Sequence, residues 1–277
     1  MNLETGAASR TERYMEALLS RHLKDLKFSE VTQGLRALSN GYVEKREAGG
    51  LARALQGRGK RAAFGLYYGA THFLTTSTLV RNLGFGFPAP LEVSGKPKKP
   101  AEGRSTILDL GCGTGVCGAA WALGSASSPL VIGVDRSSFA LHEARWTFQT
   151  LGLRAETSRS ITEALETARR PSGIVIGWTL NELDDLKRAF IAERILPWVR
   201  AGTRLIVIEP VSKRVAPWWD PWTAPFLATG GVVSEQRLRL DLPSKIALLG
   251  RSAGLTAESA VVRVLTTPAG APFQETA

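Results

Sequence analysis

Apolar side chains recur at helical spacing through the first third of the chain and in unbroken runs through the rest. Over 11–28, Tyr14, Met15, Leu18, Leu19, Leu23 and Leu26 share one helical face; over 30–46, Val31, Leu35, Leu38, Tyr42 and Val43 repeat the pattern. Gly49-Gly50 breaks it, and a short helix is expected at 51–56. Gly57-Arg58-Gly59-Lys60-Arg61 then leads into an aromatic helix, with Phe64, Tyr67, Tyr68 and Phe73, that runs to about residue 83. Between 84 and 104, glycines and prolines alternate with Lys96, Lys98 and Lys99, the composition of a loop or linker. The pattern divides the chain into a helical region 1–83, a linker 84–104 and a domain 105–277.

From 105 onward, apolar runs alternate with amphipathic stretches. Strands are expected at 106–110, 130–134, 153–157, 173–177, 205–208 and 261–265. Helices are expected at 115–123, 138–151, 160–169, 182–200 and 243–253. Ser138 and Asn181 are placed to cap two of these helices, and Ser160 with Glu163 fits a capping box. The Trp- and Pro-rich stretch 215–226 is expected as a loop, a lid over the substrate, an aromatic stacking surface or a plug on the core. Buried strands separated by helices imply an α/β fold: a parallel sheet covered on both faces.

Composition narrows the class. With 277 residues and 44% apolar content, the chain suits one large soluble domain, alone or with an appendage. No run of about 18 apolar residues predicts a membrane span, and the polar N-terminus predicts no secretory signal. The two cysteines, Cys112 and Cys117, supply neither a disulfide framework nor a metal-ligand set, so no metal and a cytoplasmic location are expected. The net charge of +10 is uneven. Residues 1–104 hold 17 Lys and Arg against 9 Asp and Glu, and residues 105–277 hold 18 against 16. The basic character sits in the helical region, where Arg58, Lys60 and Arg61 are candidates for RNA contact; a merely solvated basic face is the competing reading. Tyr67, Tyr68 and Phe73 are read chiefly as packing residues, and His72 as an interface histidine. His22 and His142 carry no partner signal.

The chemistry collects where the strands end, because ligands of such sheets bind beyond the carboxyl ends at the switch point. The first strand delivers Asp109 and the turn Gly111-Cys112-Gly113-Thr114-Gly115, the second Asp135, the fourth 178–182, and the fifth Glu209. An acid ending the second strand is placed to accept both hydroxyls of a ribose. The G-x-G-x-G spacing differs from the G-x-G-x-x-G that cradles a pyrophosphate. Asp109 before it suits an ammonium group, such as that of S-adenosylmethionine, better than a phosphate.

The run 107–115 with Val134-Asp135 resembles the class I S-adenosylmethionine-dependent methyltransferases. The resemblance implies a Rossmann-like sheet of seven strands with the seventh antiparallel; the short chain after Val264, with Pro268 and Pro272, predicts a reduced or irregular final hairpin. It implies S-adenosyl-L-methionine as cofactor, held by Asp109, Gly111, Cys112, Gly113, Gly115, Asp135, Arg136 and Trp178. The side chain of Cys112 is read as packing rather than nucleophilic. Asn181 and Glu182 are candidates for a substrate-facing role, with a helix cap and a helix first turn as the competing readings. Leu38-Ser39-Asn40-Gly41-Tyr42, Gly57-Arg58-Gly59 and 61–64, together with Glu209-Pro210 and Asp241-Leu242-Pro243, resemble more narrowly the mitochondrial-type small-ribosomal-subunit assembly family of methyltransferase-like proteins. Many of those carry four cysteines, which this chain lacks. That resemblance implies ribosomal RNA or the small subunit as partner. Three readings stand: a methyltransferase acting on ribosomal RNA, a small-molecule methyltransferase with the helices as lid, and a non-catalytic assembly factor that keeps the cofactor pocket.

Overall fold

The uninterrupted apolar runs become the inner strands of one seven-stranded sheet. A computed structural model describes residues 3–44, 55–88, 105–211, 216–256 and 258–267. The helix expected at 51–56 and the linker beyond 88 fall mostly outside those residues.

Strands β1 (Thr106–Leu110), β2 (Leu130–Val134), β3 (Ala155–Ser158), β4 (Gly173–Gly177) and β5 (Arg204–Pro210) are parallel; β6 (Val232–Arg239) and β7 (Ser259–Thr266) run antiparallel to their neighbours. The order is β3-β2-β1-β4-β5-β7-β6. Chain direction across the sheet therefore reverses between β1 and β4, and the crevice of the switch point opens at their carboxyl ends. This is a Rossmann-like sheet, with helices on both faces and a helical region before it. The expected irregular final hairpin is overturned: β6 and β7 pair continuously from Val232↔Thr266 to Arg239↔Ser259. β6 carries Ser234, Glu235, Gln236, Arg237 and Arg239, a polar composition suited to a sheet edge, which is why no apolar run marked it.

Side chains alternate across the strands and build one core on each face. Ile107, Val131, Val175 and Ile206 face the first, together with Tyr14, Leu35, Phe73, Trp121 and Phe148 from helices. Leu108, Val134, Ile174 and Val207 face the second, with Ile191, Ile195, Trp219, Trp222 and Phe226. The N-terminal helices α1 (Leu3–Leu23), α2 (Phe28–Glu44), α3 (Arg58–Ala63) and α4 (Gly69–Asn82) thus share a core with the sheet. A single π-helical turn, Phe64–Tyr68, joins α3 to α4.

Helices α5 (Val116–Leu123), α6 (Ser138–Thr150), α7 (Ile161–Thr167), α8 (Asp185–Arg200), α9 (Trp219–Leu227) and α10 (Ser244–Ser252) complete the fold. Three expectations shift. Ser137, not Ser138, caps α6 by accepting from Ala140 N. Asn181 does not cap the long helix: it lies in a 3-10 turn, Leu180–Glu182, and Asp184 caps α8 by accepting from Lys187 N at 2.8 Å. The 215–226 stretch is largely helix α9 rather than loop, because Trp219, Trp222 and Phe226 fall at helical spacing and bury against the second core. Ser160 caps α7 as expected, accepting from Glu163 N.

Candidate functional site

The turn after β1 crosses the switch point with three left-handed glycines, Gly111, Gly113 and Gly115, at φ of 68°, 53° and 77°. Two have a second reason to lack a side chain. A Cβ on Gly111 would stand 2.2 Å from Thr179, and one on Gly115 would stand 2.7 Å from the ring of Phe148. At Gly113 the nearest atom is 3.6 Å away, on Phe64, so only its backbone conformation demands glycine. The three glycine positions stay bare of side chains where α5 begins and aims its free N–H groups.

Carboxylates hold this backbone in place. Asp109 Oδ2 accepts from Gly118 N at 2.8 Å, which ties the end of β1 to the first turn of α5. Asp135 accepts from Gly113 N (3.0 Å) through Oδ2 and from Ser137 N (2.8 Å) through Oδ1. Each oxygen of Asp135 keeps a lone pair for a further donor. Cys112 N continues the β1–β2 ladder to Val134 O at 2.9 Å. The Cys112 thiol is buried, free and packed against Gly133, and burial pushes its pKa well up; it is not a nucleophile.

Beyond β4 the chain makes an unusual bend. Trp178 has a φ of 53°, the one non-glycine in that region among the described residues. Such strain gathers at functional sites and persists only when the surroundings impose it. Here the Trp178 N–H donates to Ile208 O at 2.7 Å, and its indole stacks on His72 at 3.6 Å with 3° between the planes. Tyr68 lies 5.8 Å from His72. The π turn and the start of α4 thus reach the strand edge. Burial lowers the His72 pKa to about 3, so the stacked ring is neutral.

Glu209, ending β5, is wholly buried and accepts from Leu180 N at 2.8 Å and from the Asn181 amide. The sequence left open whether Glu209 faces the cleft; the structure buries it as the brace of the post-β4 turn. Asn181 is engaged with this brace. Its Oδ1 is buried without a partner. Glu182 has an exposed surface, yet its carboxyl is crowded by protein, which raises its pKa to about 7; Asp135 adds to the rise and Arg136 opposes it. Asp109 is likewise raised to about 7 by burial, and Glu209 to about 8. Burial is the main cause for each of them; Asp135 adds to the rise at Asp109 and Glu182, and Glu182 adds to the rise at Glu209. Such a cleft suits a ligand that is cationic and rich in hydroxyls, and opposes a phosphate.

The structure thus brings Asp109, Gly111, Cys112, Gly113, Gly115, Asp135, Trp178, Asn181 and Glu182 to one edge of the sheet. Arg136 lies at its exposed rim. Arg58 and Arg61 are not at this edge; they line a separate cavity against α1 and α6, and Lys60 does not line it. Sequence reasoning missed the Trp178–His72 stack, because nothing in the residues between 72 and 178 signals that pairing. It also missed the approach of His22 to Glu143, with Nε2 3.6 Å from Oε2, too long for a hydrogen bond.

No protein-family model and no curated protein matches the chain. Solved structures resemble it. A precorrin-6Y C5,15-methyltransferase from Geobacter metallireducens is 12% identical, covering 70% of this chain and 85% of its own, with a TM-score of 0.44. The C-terminal domain of the enzyme of that name from Rhodobacter capsulatus is 18% identical, covering 60% and 81%, with a TM-score of 0.38. An O-methyltransferase from Bacillus cereus, in complex with SAH, is 13% identical, covering 96% and 100%, with a TM-score of 0.44.

Proposed function

We propose that the chain is an S-adenosylmethionine-dependent methyltransferase. One observation carries this reading: Asp135, just past β2, grips the glycine turn through Gly113 N and keeps a lone pair free on each oxygen, with Asp109 and Glu182 at the same strand edge. Those groups fit S-adenosylmethionine, with ribose hydroxyls on Asp135 and the cationic end among the acids.

When bound, the cofactor supplies an electrophilic methyl group on its sulfonium. The chain's residues do the rest. Asp109 and Asp135 fix the turn, so the cradle needs no rearrangement. The Trp178–His72 stack with Tyr68 forms a flat apolar wall beside it. Glu182, whose carboxyl is raised to about 7 by its surroundings, is the group this reading assigns to accept a proton from an attacking hydroxyl or amine. Asn181 acts on position only, through Glu209. Much of the rate enhancement comes from orientation.

The methyl acceptor in this reading is ribosomal RNA, free or in a small-subunit particle. The support is the +8 balance of residues 1–104, together with the short N-terminal likenesses to the ribosome-assembly family. A second reading, a small planar acceptor, is favoured by the aromatic wall. Radiolabelled methyl transfer to ribosomal particles and to a metabolite extract separates them. Label in RNA that is lost in Glu182→Gln supports the first, and label in a small molecule alone selects the second. No transfer to either, with the cofactor bound, leaves an assembly factor without catalysis.

A further inference from the structure

A cavity lies away from the proposed methyl-transfer cleft. α6 descends from β2, whereas Glu182 and Glu209 lie beyond β4 and at the end of β5, on the other side of β1. Between the C-terminal end of α1, the start of α3 and the first half of α6, a cavity of about 640 Å³ opens. That volume lies within the range of small-ligand sites, about 300–1,000 Å³.

Its lining is cationic. Arg21, Lys24, Arg58 and Arg61 face it, against Asp25 and Glu143. Glu143 is already engaged: Arg21 Nε and Nη2 each donate to it at 2.8 Å. The guanidinium of Arg21 lies 4.7 Å over Trp146, and that of Arg61 lies 5.2 Å over Phe139. Arg61 Nε donates to Leu55 O at 3.1 Å. The aromatic rings and these bonds hold both guanidinium planes in place. The two Nη groups of Arg61 have no acceptor among the described residues. Lys24 and Arg58 have no carboxylate within ion-pair distance among the described residues. His22, only 8% exposed, lines the same cavity, and its Nε2 has no hydrogen-bond partner.

Lys24, Arg58 and Arg61 are exposed to solvent and leave this lining with an excess of positive charge, Asp25 being the one lining acid not already paired, so an anion between them would be attracted. A pre-oriented guanidinium fork and an ammonium group match a phosphate, the fork by paired N–H donors and the ammonium as a point charge. We propose that this cavity is a phosphate-ester site separate from the methyl-transfer cleft. It takes the phosphate of a free nucleotide or one phosphodiester of a nucleic-acid strand. Phe139, in the lining, follows Ser137, which donates to Asp135, by two residues. The site does not depend on the cofactor assignment.

The full chain is titrated with AMP and with a single-stranded RNA of about 12 nucleotides, and the double variant Lys24→Glu, Arg58→Glu is titrated alongside. S-adenosylhomocysteine binding, read by calorimetry, shows that the variant is folded. The expected result is binding of at least one probe to the wild type, weakened about tenfold or more in the variant, with S-adenosylhomocysteine affinity unchanged. AMP binding marks a nucleotide site. RNA binding without AMP binding marks a strand, and its salt slope should flatten by about 0.7 for each lost contact. Neither probe binding the wild type, or equal binding to the variant, overturns the proposal. Phosphate binding without S-adenosylhomocysteine binding would instead leave this site standing and remove the cofactor reading.

Discussion

Glu209 sits in the protein with no exposed surface and a pKa raised from 4.5 to about 8, because burial outweighs the hydrogen bonds from the post-β4 turn. The folded state therefore binds its proton more tightly than the unfolded chain does. The contribution of this group to stability is fully present below pH 4.5 and is lost as pH rises towards about 8. Asp109, raised from 3.8 to about 7, acts in the same direction. The unfolding temperature should fall as pH rises through this window. Glu209→Gln keeps an acceptor for Leu180 N and removes the titration. It should flatten the pH dependence and stabilise the alkaline side by at least about 1 kcal/mol relative to wild type. A variant with the wild-type slope would assign the pH dependence to other groups. The burial of Glu209 was not legible in the sequence: an acid ending an apolar strand reads equally as a cleft residue. Asp135 was legible, because strand, turn and spacing together fix where it stands.

The basic helix α3 is held by a crossing with α2 that only glycines permit. A Cβ on Gly34 would stand 2.3 Å from the backbone carbon and oxygen of Gly59, and one on Gly59 would stand 2.7 Å from Glu30 O. Neither obstacle can rotate away, since both are backbone. Gly34→Ala gains about 1 kcal/mol in helix propensity, but forcing the helices apart costs about 1–3 kcal/mol and disturbs Arg58 and Arg61. The expected outcome is a lowered unfolding temperature; an unchanged or higher one would show that the crossing tolerates a side chain. Helical periodicity made α1 and α2 legible as elements, but not this contact, because a crossing depends on residues far apart in sequence. The strands of the parallel sheet were legible for the opposite reason: burial on both faces leaves a continuous apolar run. β6 stayed hidden because an edge strand with one wetted face carries polar residues. α9 stayed hidden because Pro217, Pro221 and Pro225 mask the helical spacing of its tryptophans.

At the scale of the molecule, the helical region and the sheet work as one body, with the core of the first face drawn from both. The ion pair between Arg21 on α1 and Glu143 on α6 adds a polar tie across that junction. Removing the arginine leaves a buried carboxylate unpaired, so Arg21→Met should lower stability by about 3 kcal/mol in chemical denaturation; an unchanged midpoint would mean that Glu143 finds water. The union places helical residues at the strand edge: the π turn brings Phe64 to Gly113 and α4 brings His72 to Trp178, from a part of the chain that the strand pattern alone would have set aside. The central claim is that this cleft holds S-adenosylmethionine through the acid that ends β2. Calorimetric titration of the full chain with S-adenosylhomocysteine tests it most directly. The expected result is saturable binding of one equivalent, weakened about ten- to a hundredfold in Asp135→Ala through loss of the hydroxyl hydrogen bonds to a charged group. Equal affinity in wild type and variant, or no binding to the wild type, would contradict it.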